Sequence, residues 1–341
     1  MSFKLRIAVT QDLGDSMRQL IDDYIHGSEH PDLVVYRRDF DEKFDLEYWE
    51  RSIRDMCALG GFYNKRILEV GCGFGWDAVG LSHLGGNEVV AIDILPSMID
   101  GFSECLASAR AKGHVLNIEP KVADICSLDE EESFDGIYSS EALEHVHDLT
   151  AMFERCYDLL KPGGTLLLRN DSNRFNSSFR ESTFEMWKER DTSWEHAEWL
   201  KTEIRPVEHA NAKPYGAMRQ EIIDETGIAF TPDQQAKLVA ATAGMIRPEI
   251  VKAAETYRDR GTLPTPPKFA WCRNPETGEY AERLLDPFEL RDMLKQAGFR
   301  NVSLRHGFTK FPFRLANGIA FRPINEFLFD RRGLFLLRAD K

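Results

Sequence analysis

The sequence predicts a doubly wound α/β fold on a mainly parallel sheet, interrupted late by a mostly helical insertion. The clearest sign is the stretch 65–93, KRILEVGCGFGWDAVGLSHLGGNEVVAID, which reads as strand, glycine loop, helix and strand. Two more strand-like runs, 115–123 and 134–140, alternate with helix-like segments at 97–112 and 148–160, the pattern of a parallel sheet. The alternation then stops for residues 171–285, a span too long for a structureless loop.

In the first unit, Ile67, Leu68 and Val70 supply a short apolar strand, and Gly71, Gly73 and Gly75 follow it. Glycines between strand and helix let backbone approach a ligand with no Cβ in the way, and the helix N-terminus adds partial positive charge. The second strand ends at Asp93, about 20 residues on, where a carboxylate accepts hydrogen bonds from ribose hydroxyls. The spacing Gly71-x-Gly73-x-Gly75 departs from the G-x-G-x-x-G that seats a pyrophosphate, which favours a nucleoside ligand without phosphates over NAD.

With Glu69-Val-Gly-Cys-Gly-Phe-Gly75, the stretch resembles the first motif of the class I S-adenosylmethionine (SAM) dependent methyltransferases. The resemblance implies SAM as cofactor. It places Glu69 at the methionine amino group, Gly71, Cys72 and Gly73 along the methionine part, Asp93 on the ribose, and Ile94, with Leu95, beside the adenine. Asp124-Ile125 falls where that family receives the adenine amino group, with a plain N-cap or turn aspartate as the alternative. Ser140, closing the fourth strand, joins the same set. The LLKPGG run at 159–164 before the fifth strand, 165–169, resembles a later motif of the family and is rare in dinucleotide folds. The likeness covers residues 60–170 and 286–341 and implies seven strands, the last antiparallel between the fifth and sixth.

The chain therefore divides into an N-terminal helical extension (1–60), a SAM-binding core (61–170), an inserted substrate cap (171–285) and a completion of the core sheet (286–341). In the extension, 16–25 and 45–59 are helix-like. Leu46, Trp49, Ile53 and Met56 recur at helical spacing behind an Asp45 N-cap, as in a helix packed beside the core rather than a lid. In the cap, one helix opens at Thr231-Pro232 and another runs from Pro248 to Gly261, and a hairpin turns at Asn274 to Gly278. Trp187, Trp194 and Trp199 read as packing residues rather than an acceptor platform. Asp286-Pro-Phe-Glu289 is a proline-started capping box, and strands at 302–308 and 334–337 end the chain.

Glu141, Glu144 and His145 form an E-x-x-E-H pattern just after the fourth strand. On a helical turn these positions share one face, so two carboxylates and an imidazole converge. Such a set could bind a divalent metal; alternatively His145 is a base, or merely packs. The pattern is similar to one used for metal by small-RNA 3′-end 2′-O-methyltransferases and found in ubiquinone-biosynthesis O-methyltransferases, and it also occurs in family members without metal. The metal-free alternative is the expectation, with Glu141, Glu144 and His145 as the catalytic set.

A net charge of −13 opposes a phosphate backbone and disfavours nucleic acid as partner. Cysteines 57, 72, 105, 126, 156 and 272 show no C-x-x-C and no regular spacing, which points to reduced, largely buried thiols. No apolar run is long enough to span a bilayer and the start lacks a secretory pattern, so a cytoplasmic protein is expected. The oligomeric state stays open, a homo-oligomer included. The leading functional expectation is methyl transfer to a hydroxyl of a small molecule, a sugar or secondary metabolite. A metal-assisted RNA 2′-O-methyltransferase and a non-catalytic SAM-binding partner subunit are the alternatives.

Overall fold

The computed structural model describes residues 17–129, 131, 133–307, 322–331 and 333–341. Among them, β1 (Arg66–Val70), β2 (Glu88–Asp93), β3 (Ile118–Val122), β4 (Phe134–Ser140), β5 (Leu160–Asn170), β6 (Arg300–His306) and β7 (Phe335–Asp340) form one sheet, in the order β3-β2-β1-β4-β5-β7-β6. The β1/β2 and β2/β3 pairs are parallel, while β6 and β7 are antiparallel. The last strand thus lies between the fifth and sixth, as expected. Ile67, Leu68, Val70 and Val89 to Ile92 are all buried, which is why both strands read as mainly apolar, with the buried Glu69 the exception inside β1.

Four strand boundaries differ from expectation, among them β7, which runs to Asp340 rather than ending at 337. β3 starts only at Ile118, and Val115, at the expected start, is 88% exposed. β5 begins at Leu160 and takes in Lys161-Pro-Gly-Gly, with Gly163 left-handed at φ 79°. β6 sits two residues earlier, at Arg300–His306, and Phe308 lies outside the described residues, as do residues 1–16.

The chain forms two compact units. The first takes in the chain to Tyr138 with Asp158–Thr165 and Lys201–Ala210. It holds helices α1 (17–25), α2 (Pro31–Lys43), α3 (Leu46–Gly60), α4 (Trp76–Gly85) and α5 (Pro96–Ala111). Asp45 caps α3 by accepting from Tyr48 N, and Gly61 ends it at φ 64°. Its predicted apolar face does lie on the core, with Ile53 and Trp49 against Gly80 of α4. Not foreseen is Asp32, 0% exposed, whose carboxylate accepts from Val207 N (2.8 Å) and Glu208 N (3.2 Å) and so ties a piece of the insertion to α2.

The second unit comprises Ser139–Tyr157, Leu166–Leu200 and Asn211–Lys341. α6 (Leu149–Leu159) starts where Asp148 accepts from Thr150 N and Ala151 N. In the insertion, α7 (Ser177–Thr192) and α8 (Trp194–Trp199) precede α9 (Tyr215–Glu225), α10 (Pro232–Ala241) and α11 (Arg247–Arg260). The last three enclose their own core of Ile222, Ile223, Leu238, Ile250 and Ala254. The predicted caps are in place at Thr231 and at Gly261, φ 66°. Trp187 is buried with Tyr215, Cys272 and Leu284, whereas Trp194 and Trp199, on a separate helix, are exposed; the packing expectation holds for Trp187 alone. The hairpin closes through an Arg273–Tyr280 bridge and Gly278 N donating to Asn274 O.

α12 (Pro287–Gln296) is capped by Asp286, but the capping box is only half made. The Glu289 carboxylate pairs with Arg174 (3.3 Å) rather than reaching back to its own N-terminus. α13 (Arg322–Arg331) leads to β7. The cysteines form no disulfide, and all except Cys126 are buried, as expected. No described helix is long and apolar enough to cross a membrane.

Candidate active site

The glycine loop is shaped by its own hydrogen bonds. Gly71 N and Cys72 N both donate to Ile92 O, at 2.9 and 3.0 Å, and Gly73 N donates to Asp93 Oδ2 at 2.9 Å. These N–H groups are therefore spent inside the protein, and what the loop offers a ligand is space. A Cβ on Gly73 would meet nothing within 4 Å, although the residue sits at φ 51°. Gly75 is the reverse case: at φ 77° its absent Cβ leaves room for the Phe102 ring, which would lie 2.2 Å away.

Around this cradle, Glu69 is 3% exposed and its Oε2 has no hydrogen-bond partner among the described residues. Burial, reinforced by Asp77 and Asp93, holds its carboxyl well above the usual carboxylate range. Asp93 stands half-buried at the end of β2, with Oδ1 accepting from Leu95 N (3.0 Å), so each of its oxygens keeps a second acceptor site. Ile94 beside it is 41% exposed. Asp124 does make the N-cap bond, to Cys126 N at 2.9 Å, and Ile125 is buried. Cys72 is buried, and burial pushes its thiol up, which makes it a packing residue rather than a nucleophile.

Sequence spacing gave no sign of two aromatic residues from the N-terminal extension at this loop. The Tyr24 hydroxyl donates to Phe74 O at 2.6 Å and its ring meets Trp76 edge-on, while Tyr36 packs edge-on against Phe74. Tyr138 on β4 donates to Asp77 (2.8 Å) and fixes the start of α4.

The E-x-x-E-H stretch does not form the expected helical turn. Glu141 is left-handed, at φ 48°, a conformation rare for a residue with a Cβ. Its Oε1 accepts from Arg169 Nη1 and its Oε2 from Asp171 N, both at 2.9 Å, and Arg169 also donates to Ser140 Oγ. Burial and the Asp171 charge push Glu141 up against the pull of Arg169. Glu144, 4% exposed, accepts from Asn170 Nδ2. His145 Nδ1 lies 2.9 Å from Tyr280 O; a carbonyl only accepts, so Nδ1 carries the proton.

The three residues thus do not converge as a set. Glu144 and His145 are joined instead by Glu282, and one side-chain atom of each lies within 4.8 Å of the others. Glu282, Arg169, Asn170 and Arg283 are the residues that sequence reasoning missed. No local signal could have found Glu282, which arrives from the far end of the insertion.

Comparison with known proteins follows this geometry. A family model described as "Methyltransferase domain" matches residues 67–164. A ubiquinone biosynthesis O-methyltransferase of Methylocella silvestris is 32% identical over 212 residues, 60% of this chain and 76% of the relative. This chain belongs to the class I SAM-dependent methyltransferase family. Another member with the same name, from Bradyrhizobium diazoefficiens, is 31% identical over 129 residues, 38% of this chain and 47% of its own; the chain spans about half the length of such relatives. Among solved members, a SAM-dependent methyltransferase from Mesorhizobium loti has a TM-score of 0.41 at 19% identity, covering 85% of this chain and 96% of its own. Phosphoethanolamine N-methyltransferase 2 of Haemonchus contortus, solved with SAM, has a TM-score of 0.45 at 14% identity, covering 86% of this chain and 52% of its own.

Proposed function

We propose that the protein transfers a methyl group from SAM to a hydroxyl of a small molecule. The observation that carries this reading is the cradle itself: open space over Gly73, with a buried carboxylate oxygen of Glu69 that has no partner among the described residues and the half-used Asp93. That donor set fits SAM. Glu69 would take the methionine amino group, Gly71 and Gly73 would run along the methionine part, Asp93 would accept from the ribose hydroxyls, Ile94 would cover the adenine, and Asp124 with Ile125 would meet its edge. Bound SAM supplies an electrophilic methyl on a sulfonium. The chain's own task is to hold it, exclude water and orient an acceptor oxygen. Two named relatives are O-methyltransferases, which supports oxygen as the target atom. The net charge of −13 supports a small acceptor over RNA.

Isothermal titration with SAM and S-adenosylhomocysteine, followed by mass-spectrometric search for methylated products in pools of phenols, sugars and secondary metabolites, tests the reading. Absence of SAM binding overturns it at the cofactor step. Binding with methyl transfer only to nitrogen or carbon overturns the hydroxyl assignment.

A further inference from the structure

Two buried N–H groups one turn apart on α7 lack an acceptor. Trp187 is 0% exposed, yet its indole Nε1 has no hydrogen-bond partner among the described residues, and neither has the buried Nη1 of Arg190. Nor does any described carboxylate lie within ion-pair distance of Arg190. Of the acids that flank it in the chain, Asp191 is held by Arg219 through two bonds (2.7 and 3.0 Å), and Glu189 pairs with His196 (3.5 Å). What Arg190 meets is Tyr215 of α9: Nη2 donates to the phenol oxygen at 3.3 Å, and the guanidinium lies 4.8 Å from the ring centroid. Trp187 packs in the same buried cluster as Tyr215. We propose that Trp187 Nε1, Arg190 Nη1 and the Tyr215 hydroxyl form a binding site, within the insertion, for the carboxylate of a small aromatic acid. This site is independent of the methyl-transfer reading, since all of its groups belong to the second compact unit.

The donors select the ligand. Nε1 and Nη1 can only donate, and Tyr215, accepting from Arg190, keeps its own hydrogen to give, so the three together call for a group with several lone pairs. A buried guanidinium N–H is costly without a charged partner. A carboxylate answers both needs, because its two oxygens take several hydrogen bonds and its charge balances Arg190. A water would satisfy the Trp187 indole but leave the cation unbalanced. Phosphate fits less well: its second charge would find one guanidinium to meet and two acids, Glu189 and Asp191, next to it in the chain. The rings supply the rest of the class. Phe184, tilted at 5.3 Å, and Trp271, edge-on at 5.2 Å, adjoin the Trp187 indole. Both are only half-buried, as is Arg190, so apolar ring surface and access from solvent occur together.

Sodium benzoate is the probe, with benzamide and inorganic phosphate as controls. In protein labelled with ¹⁵N, the indole N–H signal that disappears in Trp187→Phe is that of Trp187. It is expected to shift saturably with benzoate and to stay in place with the two controls. Titration calorimetry should give benzoate an affinity at least about tenfold above that of benzamide, which keeps the ring and loses the charge. Arg190→Gln should weaken benzoate at least about tenfold, and Arg190→Lys should return part of the loss. Arg190→Gln should not lower the melting temperature, since it removes a charge that no described carboxylate balances. If Trp187→Phe does not fold, calorimetry on the Arg190 variants decides in its place. A Trp187 signal unmoved by benzoate, equal binding of benzamide or phosphate, or undiminished benzoate binding in Arg190→Gln overturns the proposal.

Discussion

Asp93 Oδ2 accepts the Gly73 N–H at 2.9 Å, so the carboxylate at the end of β2 clamps the loop that surrounds the proposed ligand. Asp93→Ala should therefore weaken SAM by at least about tenfold, through the lost ribose acceptor and the loosened loop together. Isothermal titration checks it. Wild-type affinity in the variant would place the nucleoside elsewhere.

Gly73 and Gly75 should respond oppositely to alanine. Gly75→Ala drives a Cβ into Phe102 at positive φ, and unfolding by urea should show a loss of about 2 kcal/mol or more. Gly73→Ala faces open space, so its fold should lose only about 1 kcal/mol while SAM affinity falls sharply as the Cβ fills the cradle. Equal effects on stability would contradict the geometry.

Glu69 keeps its proton in the native state well above the ordinary carboxylate range, whereas the unfolded chain releases it there. Between those two values the native state binds more protons, so stability falls as pH rises through that window. Glu69→Gln should remove this slope and raise the melting temperature at neutral pH, with SAM binding weakened. Thermal scans from acid to neutral pH decide it; a variant that loses stability at neutral pH refutes the account.

Both oxygens of Glu141 are engaged, by Arg169 and by Asp171 N, which leaves the sequence motif one carboxylate short of its expected set. EDTA should consequently leave turnover unchanged. Glu141→Ala should lower stability by about 1 kcal/mol through the freed Arg169. Chelator sensitivity restored by Mn²⁺ would restore the metal reading.

Asp32 is buried and receives the amides of Val207 and Glu208. Asp32→Ala should cost about 1–3 kcal/mol and open the 201–210 segment to proteolysis. Unchanged cleavage kinetics would show that other contacts hold it.

Much of this was legible in the sequence because the signals are local. Strand, glycine loop, helix and strand-end acid at 65–93 are fixed by residue type at short spacing, and so are the caps at Asp45, Thr231 and Gly261. The glycine loop needed no tertiary information to be recognised. What only the tertiary structure decided are relationships between distant segments: Asp32 with residue 207, Tyr24 with Phe74, and Glu282 with Glu144. The expected convergence of Glu141, Glu144 and His145 failed for the same reason. A helical turn is the local preference, but the Arg169 guanidinium and the Asp171 amide hold Glu141 left-handed, and the return arm of the insertion brings a different carboxylate to the vacated place beside Glu144. Sequence spacing encodes which side chains a segment can present; which of them meet is settled by backbone bonds between segments more than a hundred residues apart, such as Tyr280 with His145.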